Sequence, residues 1–173
     1  MKKSILLFLA AVMLTSFSIN AKGFVIAYVI DSKGPVTNIR TAPSANAKVA
    51  MTLPTDKGAY VLTLDKVKNG WWRIADVIEE YEENIEIPLT GSKTGYWIHG
   101  SLLYFSPVGD PTGCLRSGPS AKSKAIRMSD STELKFQPIG FKGQWIKVKT
   151  ANGRYTGWMH RDRVCYNPLT TCP

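Results

Sequence analysis

Histidine is scarce and cysteine is odd in number: His99 and His160 are the two imidazoles, and Cys114, Cys165 and Cys172 the three thiols. No cysteines form a C-x-x-C pair, so a tetrahedral metal site lacks its usual ligands, and neither a metal nor a cofactor is expected. Long apolar runs are missing too. The one candidate, Ile5 to Leu14, is well short of the ~20 residues a membrane-spanning helix requires. Few stretches carry the 3.6-residue periodicity of an amphipathic helix, which leaves little basis for an α-helical core. Acidic residues are the minority charge, 13 Asp and Glu against 22 Lys and Arg.

The first residues read differently from the rest. Lys2 and Lys3 precede the apolar run, and Ser16 to Ala21 form a small or polar tail. That is the plan of a secretory leader, with cleavage expected after Ala21 and Ser18 as the alternative. No cysteine stands near that point, so a lipid anchor is not expected. Export permits a disulfide, and three thiols leave one over. Two pairings fit. Cys165–Cys172 ties down the C-terminal tail around Tyr166-Asn167-Pro168, and Cys114–Cys165 joins the first and last strands of the second copy, which lie near each other in a closed barrel. The first is preferred.

What is present is a repeat. Asn38-Ile39-Arg40-Thr41-Ala42-Pro43-Ser44 returns as Cys114-Leu115-Arg116-Ser117-Gly118-Pro119-Ser120, 76 positions on (115 − 39). Each copy is a strand's length of alternating residues ending in a Pro-Ser turn, where proline removes a ladder donor. Trp71-Trp72-Arg73-Ile74 is answered by Trp145-Ile146-Lys147-Val148, and Gly95-Tyr96-Trp97-Ile98-His99 by Gly157-Trp158-Met159-His160. Further strands are expected over Phe24 to Ile30, Lys48 to Leu53, Tyr60 to Leu64 and Glu133 to Ile139, with a tight turn at Lys68-Asn69-Gly70. Short strands with regular turn signals indicate an all-β architecture. Domain one is placed at 22–106 and domain two at 107–173, the stiff Pro107-Val108-Gly109-Asp110-Pro111 stretch keeping them in contact.

The first copy carries extra residues, about 76–93, between its Trp strand and its His strand. Asp76, Glu79, Glu80, Glu82, Glu83 and Glu86 make that insert acidic, and Ile85, Ile87 and Leu89 at period two suggest a lengthened hairpin. A short helix over Val77 to Glu83 is the alternative. The charge is divided unevenly. Lys22 to Gly109 holds nine basic and nine acidic residues, whereas Asp110 to Pro173 holds eleven and four. A basic half outside the cytoplasm faces anionic wall polymers, lipid headgroups or acidic proteins, and nucleic acid is not the expected partner.

N-[IV]-R-x-x-P-S, followed by G-x-W-x-[KR]-[IV] and G-W-[IVM]-H, resembles the bacterial SH3-like (SH3b) domain family, in two copies covering nearly all of the chain after the leader. The resemblance implies two small β-barrels that recognise short peptides, often those of peptidoglycan. Cys114 standing where Asn38 stands, and the acidic insert, are departures from a uniform repeat.

Alternation also sorts the faces. With Ile74 and Val148 inward, Trp72 and Ile146 point inward too, which leaves Trp71 and Trp145 outward beside Arg73 and Lys147. With Ile98 and Met159 inward, Trp97, His99, Trp158 and His160 point outward. Large flat indoles next to cations make a peptide platform. Arg40 and Arg116 have two available roles: a bidentate clamp on a ligand carboxylate, or fastening their own turn through backbone carbonyls, the latter preferred.

The expectation is an exported, non-catalytic binding protein of the periplasm or cell surface, taking cell-wall peptides or short protein segments. The alternative is an envelope interaction or inhibitor protein that contacts its partner through Glu79, Glu80, Glu82, Glu83 and Glu86. Catalysis is not expected. The two histidines belong to different copies, Cys165 and Cys172 are committed to each other, and carboxylates on a hairpin tip are poorly held for glycoside cleavage.

Overall fold

The computed structural model describes residues 23–110, 112–129, 135–167, 169 and 172. The expected leader, Pro111 of the boundary stretch and Glu133 at the start of an expected strand lie outside the described residues. The architecture is all-β.

In the first half the strands are β1 (Val25–Val29), β2 (Val36–Arg40), β3 (Val49–Pro54), β4 (Tyr60–Lys68), β5 (Trp71–Glu80), β6 (Ile85–Ile87), β7 (Tyr96–His99) and β8 (Leu103–Tyr104). The second half contributes β9 (Ser106–Pro107), β10 (Leu115–Arg116), β11 (Ala125–Ile126), β12 (Phe136–Lys142), β13 (Trp145–Thr150), β14 (Thr156–His160) and β15 (Val164–Cys165). A single 3₁₀ turn follows each His strand, Gly100–Leu102 and Arg161–Arg163.

The sequence repeat becomes a repeat of topology. The first sheet runs β3-β2-β7-β5-β4-β1-β8 and the second β11-β10-β14-β13-β12. The first five strands of one sheet therefore occur in the same order as all five of the other. A two-stranded β15–β9 pair stands in the second half where β1 and β8 pair in the first. Among the described residues no sheet closes its ladder into a ring.

Turn chemistry sets the registers. Asn69 and Gly70 both adopt positive φ, 51° and 79°, the mirror-image turn that matches strand twist and that Asn-Gly favours. It brings Lys68 opposite Trp71, so β5 leaves the turn with Trp71 outward and Trp72 buried. The insert is a hairpin: Ile78 faces Ile87, Glu79 faces Glu86 and Glu80 faces Ile85, with Asn84 at φ 53° in the turn. The alternative helix over 77–83 does not form, because residues 77–80 continue β5 and 81–83 enter the turn to β6.

One bulge is repeated. The β4–β5 register skips Asp65 between Leu64 and Lys66, and the β12–β13 register skips Ile139 between Pro138 and Gly140. Each is the extra residue that bends its strand and re-aims a side chain.

The two halves do not keep separate interiors, a departure from two self-contained barrels. Their buried side chains form one continuous cluster, from Val25 and Ile39 to Val148 and Met159. Phe105 makes the join. Its backbone exchanges hydrogen bonds with Phe136, 3.0 and 2.9 Å, and the two rings stack at 6.2 Å. Trp72 is fully buried, donates its indole N–H to the Pro138 carbonyl at 3.2 Å, and stacks on Phe141 at 5.9 Å. Arg161 lies 4.1 Å over the Phe24 ring, which fastens the start of the described chain to the second half. Cys165 and Cys172 are bonded, and Cys114 is free and buried.

Candidate functional site

Each half presents an aromatic–imidazole pair on the outer face of its sheet. Trp71 sits opposite His99 across β5 and β7, and Trp145 opposite His160 across β13 and β14. Both pairs are edge-to-face at 5.1 Å, with interplanar angles of 71° and 75°. That is the arrangement ring quadrupoles favour. Trp71 and Trp145 are half-buried, so each leaves part of its face to solvent.

One row along the same face, the central indole of each half lies between two basic residues. Trp97 is paired with Arg40 on one side and Arg73 on the other. Trp158 is paired with Arg116 and Lys147. The two rows are equivalent in position and opposite in electrostatics. In the first half Arg40 donates to the Ala47 carbonyl at 2.7 Å, the turn-fastening role. Arg73 is held by both oxygens of Asp65, with Nε to Oδ1 at 2.7 Å. The bulge at Asp65 delivers that carboxylate. The hydrogen bonds to Asp65 hold the Arg73 guanidinium above its ordinary range. In the second half the bulged residue is Ile139, 40% exposed, which offers Lys147 no charge. Among the described residues neither Arg116 nor Lys147 makes a side-chain hydrogen bond or ion pair.

Trp97 is a correction to the outward assignment: only 5% of it is exposed. It does lie on the outer face. Arg40 and Arg73 flank it on the neighbouring strands, and the indole N–H reaches the Thr94 carbonyl at 3.5 Å. Trp158 remains half-buried. His99 is exposed and shares a 2.7 Å hydrogen bond with the Ser101 hydroxyl. His160 is half-buried, with Nδ1 3.2 Å from an Asp162 carboxylate oxygen.

A groove of about 240 Å³ opens over the second half, lined by Cys114, Arg116, Ala121, Trp145, His160 and Arg163. A wider cleft of about 560 Å³ adjoins it, with Arg116 and Gly113 common to both and Arg127 and Met128 on its far wall. Arg127 and Arg163 are not among the site residues expected from the sequence, because neither stands beside a repeated aromatic. Asp110 also lines the wider cleft. Its carboxylate accepts from the Thr112 N–H at 2.9 Å and from the Thr112 hydroxyl at 2.8 Å, and these bonds hold it below the usual carboxylate range. His99 and Trp72 line a separate cavity of about 190 Å³ between the halves, together with Gln137, Pro138 and Lys149.

Cys114 is 7% exposed, and burial pushes its thiol up to about 11. A protonated thiol is a poor nucleophile, so its place in the groove is a packing role. The linkage has a definite sign. The unfolded thiol ionises first, from about pH 9, so the unfolded state binds fewer protons and stability falls between pH 9 and 11. The loss is at most about 3 kcal/mol. Because Tyr28 and Tyr60 are raised as well, the check is the difference between the wild-type chain and Cys114→Ala in denaturant melts across that range. The variant is expected to show the shallower decline, and identical slopes would contradict the burial argument.

The acidic hairpin is not uniform. Glu79, Glu82, Glu83 and Glu86 are exposed and, among the described residues, unpaired with any cation. Glu80 is a correction to the exposed contact set. It is 8% exposed, faces Tyr60 across the ladder, and has one carboxylate oxygen without a partner. Among the described residues no group of three or more His, Cys, Asp or Glu is arranged to hold a metal ion, and no helix is long and apolar enough to cross a membrane.

No family model matches the chain, and no curated protein sequence matches it. Among solved structures it is similar to one described as "Structure of NlpC2 from Trichomonas vaginalis", at 14% identity and a TM-score of 0.29, over 84% of this chain and 49% of that one. The match thus spans about half of that structure's length, and a likeness of that size decides neither fold family nor activity.

Proposed function

We propose that the chain is an exported, non-catalytic binding protein of the periplasm or cell surface, built from two SH3-like modules and recognising short peptides, those of peptidoglycan foremost. One observation carries the reading. The second half keeps a half-exposed indole, Trp145, standing on His160 at the rim of a 240 Å³ groove that also holds Arg116. A rigid aromatic with few rotors, next to a guanidinium without a partner among the described residues, binds extended peptide at little entropic cost. The first half has the same aromatic pair but spends its cations internally, so binding is assigned to the second half. The test is retention of the chain from Lys22 onward on purified, protein-free peptidoglycan. Retention that salt alone abolishes and free stem peptide does not compete would reduce the reading to non-specific charge attraction.

A second reading has its own observation. The hairpin β5–β6 exposes four carboxylates, unpaired among the described residues, together with Ile85, a combination suited to a basic protein partner. Replacing residues 79–86 by a two-residue turn is expected to abolish capture of such a partner and to leave wall retention intact. Partner capture that survives the replacement rules this version out.

A further inference from the structure

We infer that the outer face of β10, β14 and β13 is a receptor for a carboxylate, and that the ligand of the second half is a peptide presenting one, while the matching face of the first half is self-neutralised and does not take it. This rests on the groove reading above and names the chemistry of the ligand.

The inference comes from comparing two equivalent rows of side chains within one molecule. In the first half Arg40–Trp97–Arg73 is closed: a carbonyl occupies one guanidinium, a carboxylate occupies the other, and the indole between them is buried. In the second half Arg116–Trp158–Lys147 is open. The residue that would supply the counter-charge, at the same bulge, is Ile139. Two cations flank a half-buried indole and, among the described residues, neither pairs with a carboxylate, although Asp65 on β4 beside Arg73 demonstrates that the bulge position admits one. His160 and Trp145 extend the same face by one row, and the groove they line includes Arg116.

Charge over the whole half points the same way, with eleven basic residues against four acidic from Asp110 onward. Of the described carboxylates of the second half, Asp110 on the wall of the wider cleft is turned onto Thr112 and Asp162 stands 3.2 Å from His160 Nδ1, and neither pairs with Arg116 or Lys147. An incoming carboxylate on Lys147 would thus occupy in the second half the position that the Asp65 carboxylate occupies in the first, with Arg116 across Trp158 as the second cation of the face. Free stem-peptide ends and protein C-termini share this chemistry.

The probes are a wall-stem tetrapeptide ending in D-alanine, its C-terminal amide, and the same sequence ending in L-alanine, each titrated calorimetrically into the chain from Lys22 onward. The acid is expected to bind about tenfold to a hundredfold more tightly than the amide, the range of a charge-assisted hydrogen bond. Preference for the D- over the L-terminated acid identifies a wall source, and equal binding identifies a general C-terminal carboxylate. Two substitutions carry the test into the protein. Arg116→Gln removes one cation. Ile139→Asp, at an exposed bulge that accommodates an aspartate in the first half, gives Lys147 an internal partner. Each is expected to erase most of the acid-over-amide preference, and Asp65→Ala is expected to leave the preference intact. Equal affinity for acid and amide overturns the carboxylate inference and spares the groove. A preference surviving both Arg116→Gln and Ile139→Asp overturns its location. Failure of all three peptides to bind removes the groove reading itself.

Discussion

Trp145→Ala is expected to weaken peptide binding about thirtyfold or more, the loss that follows from truncating an aromatic anchor worth 2 kcal/mol or more. Trp145 fits that role by position. It is half-buried against His160, so its orientation is fixed before a ligand arrives, and the rest of its surface faces the groove. The fold should tolerate the change, because Trp145 lies outside the continuous buried cluster. Trp71→Ala supplies the contrast. It removes an indole with the same edge-to-face partner from the half whose cations are already engaged. Its affinity is expected to stay within about twofold of wild type, since contacts outside a hot spot are near neutral. A comparable loss from Trp71→Ala would return binding to both halves.

Trp72→Ala is expected to destabilise the whole chain and not the first half alone. Removing a fully buried indole costs about 3–5 kcal/mol, a large share of the ~5–15 kcal/mol that holds a protein together. Two further contacts go with it, the hydrogen bond to Pro138 and the stack on Phe141, both of which lie in the second half. At 2–4 °C per kcal/mol for a chain of this size, the melting temperature falls by about 10 °C. Calorimetry is expected to give one transition before and after the substitution. Two transitions, with the upper one unmoved by Trp72→Ala, would mean that the halves fold independently. Trp72→Phe separates the contributions. It keeps much of the apolar contact and loses the donor to Pro138, so its cost is expected to be the smaller one.

Much of this organisation was legible in the chain. The Asn38 and Cys114 phrases, with the Trp and His strands that follow them, located six equivalent strands, and the equivalence extends to the order in which those strands pair. Alternation put Trp72, Ile74, Ile146 and Val148 inside and Trp71 and Trp145 outside. What alternation cannot supply is coverage. Trp97 is on the outer face as its position requires, yet Arg40 and Arg73 lie alongside and cover it. Nor does it reveal what an inward residue meets. Trp72 looks past its own sheet to Pro138, sixty-six residues away in sequence, a contact no local pattern encodes. The bulge that separates the halves electrostatically was equally hidden. Asp65 and Ile139 are unremarkable in sequence, and only the skipped register shows that they occupy one place. Glu80 illustrates the reverse error, in which a residue inside an acidic run was counted with its exposed neighbours although the ladder turns it toward Tyr60.

The most direct measurement of the central claim follows the five indole N–H resonances, one for each tryptophan, while stem tetrapeptide is added to ¹⁵N-labelled protein. The account predicts saturable movement of the Trp145 signal, with Trp158 following it and Trp71, Trp72 and Trp97 stationary. Binding that moves Trp71 and leaves Trp145 in place would contradict it.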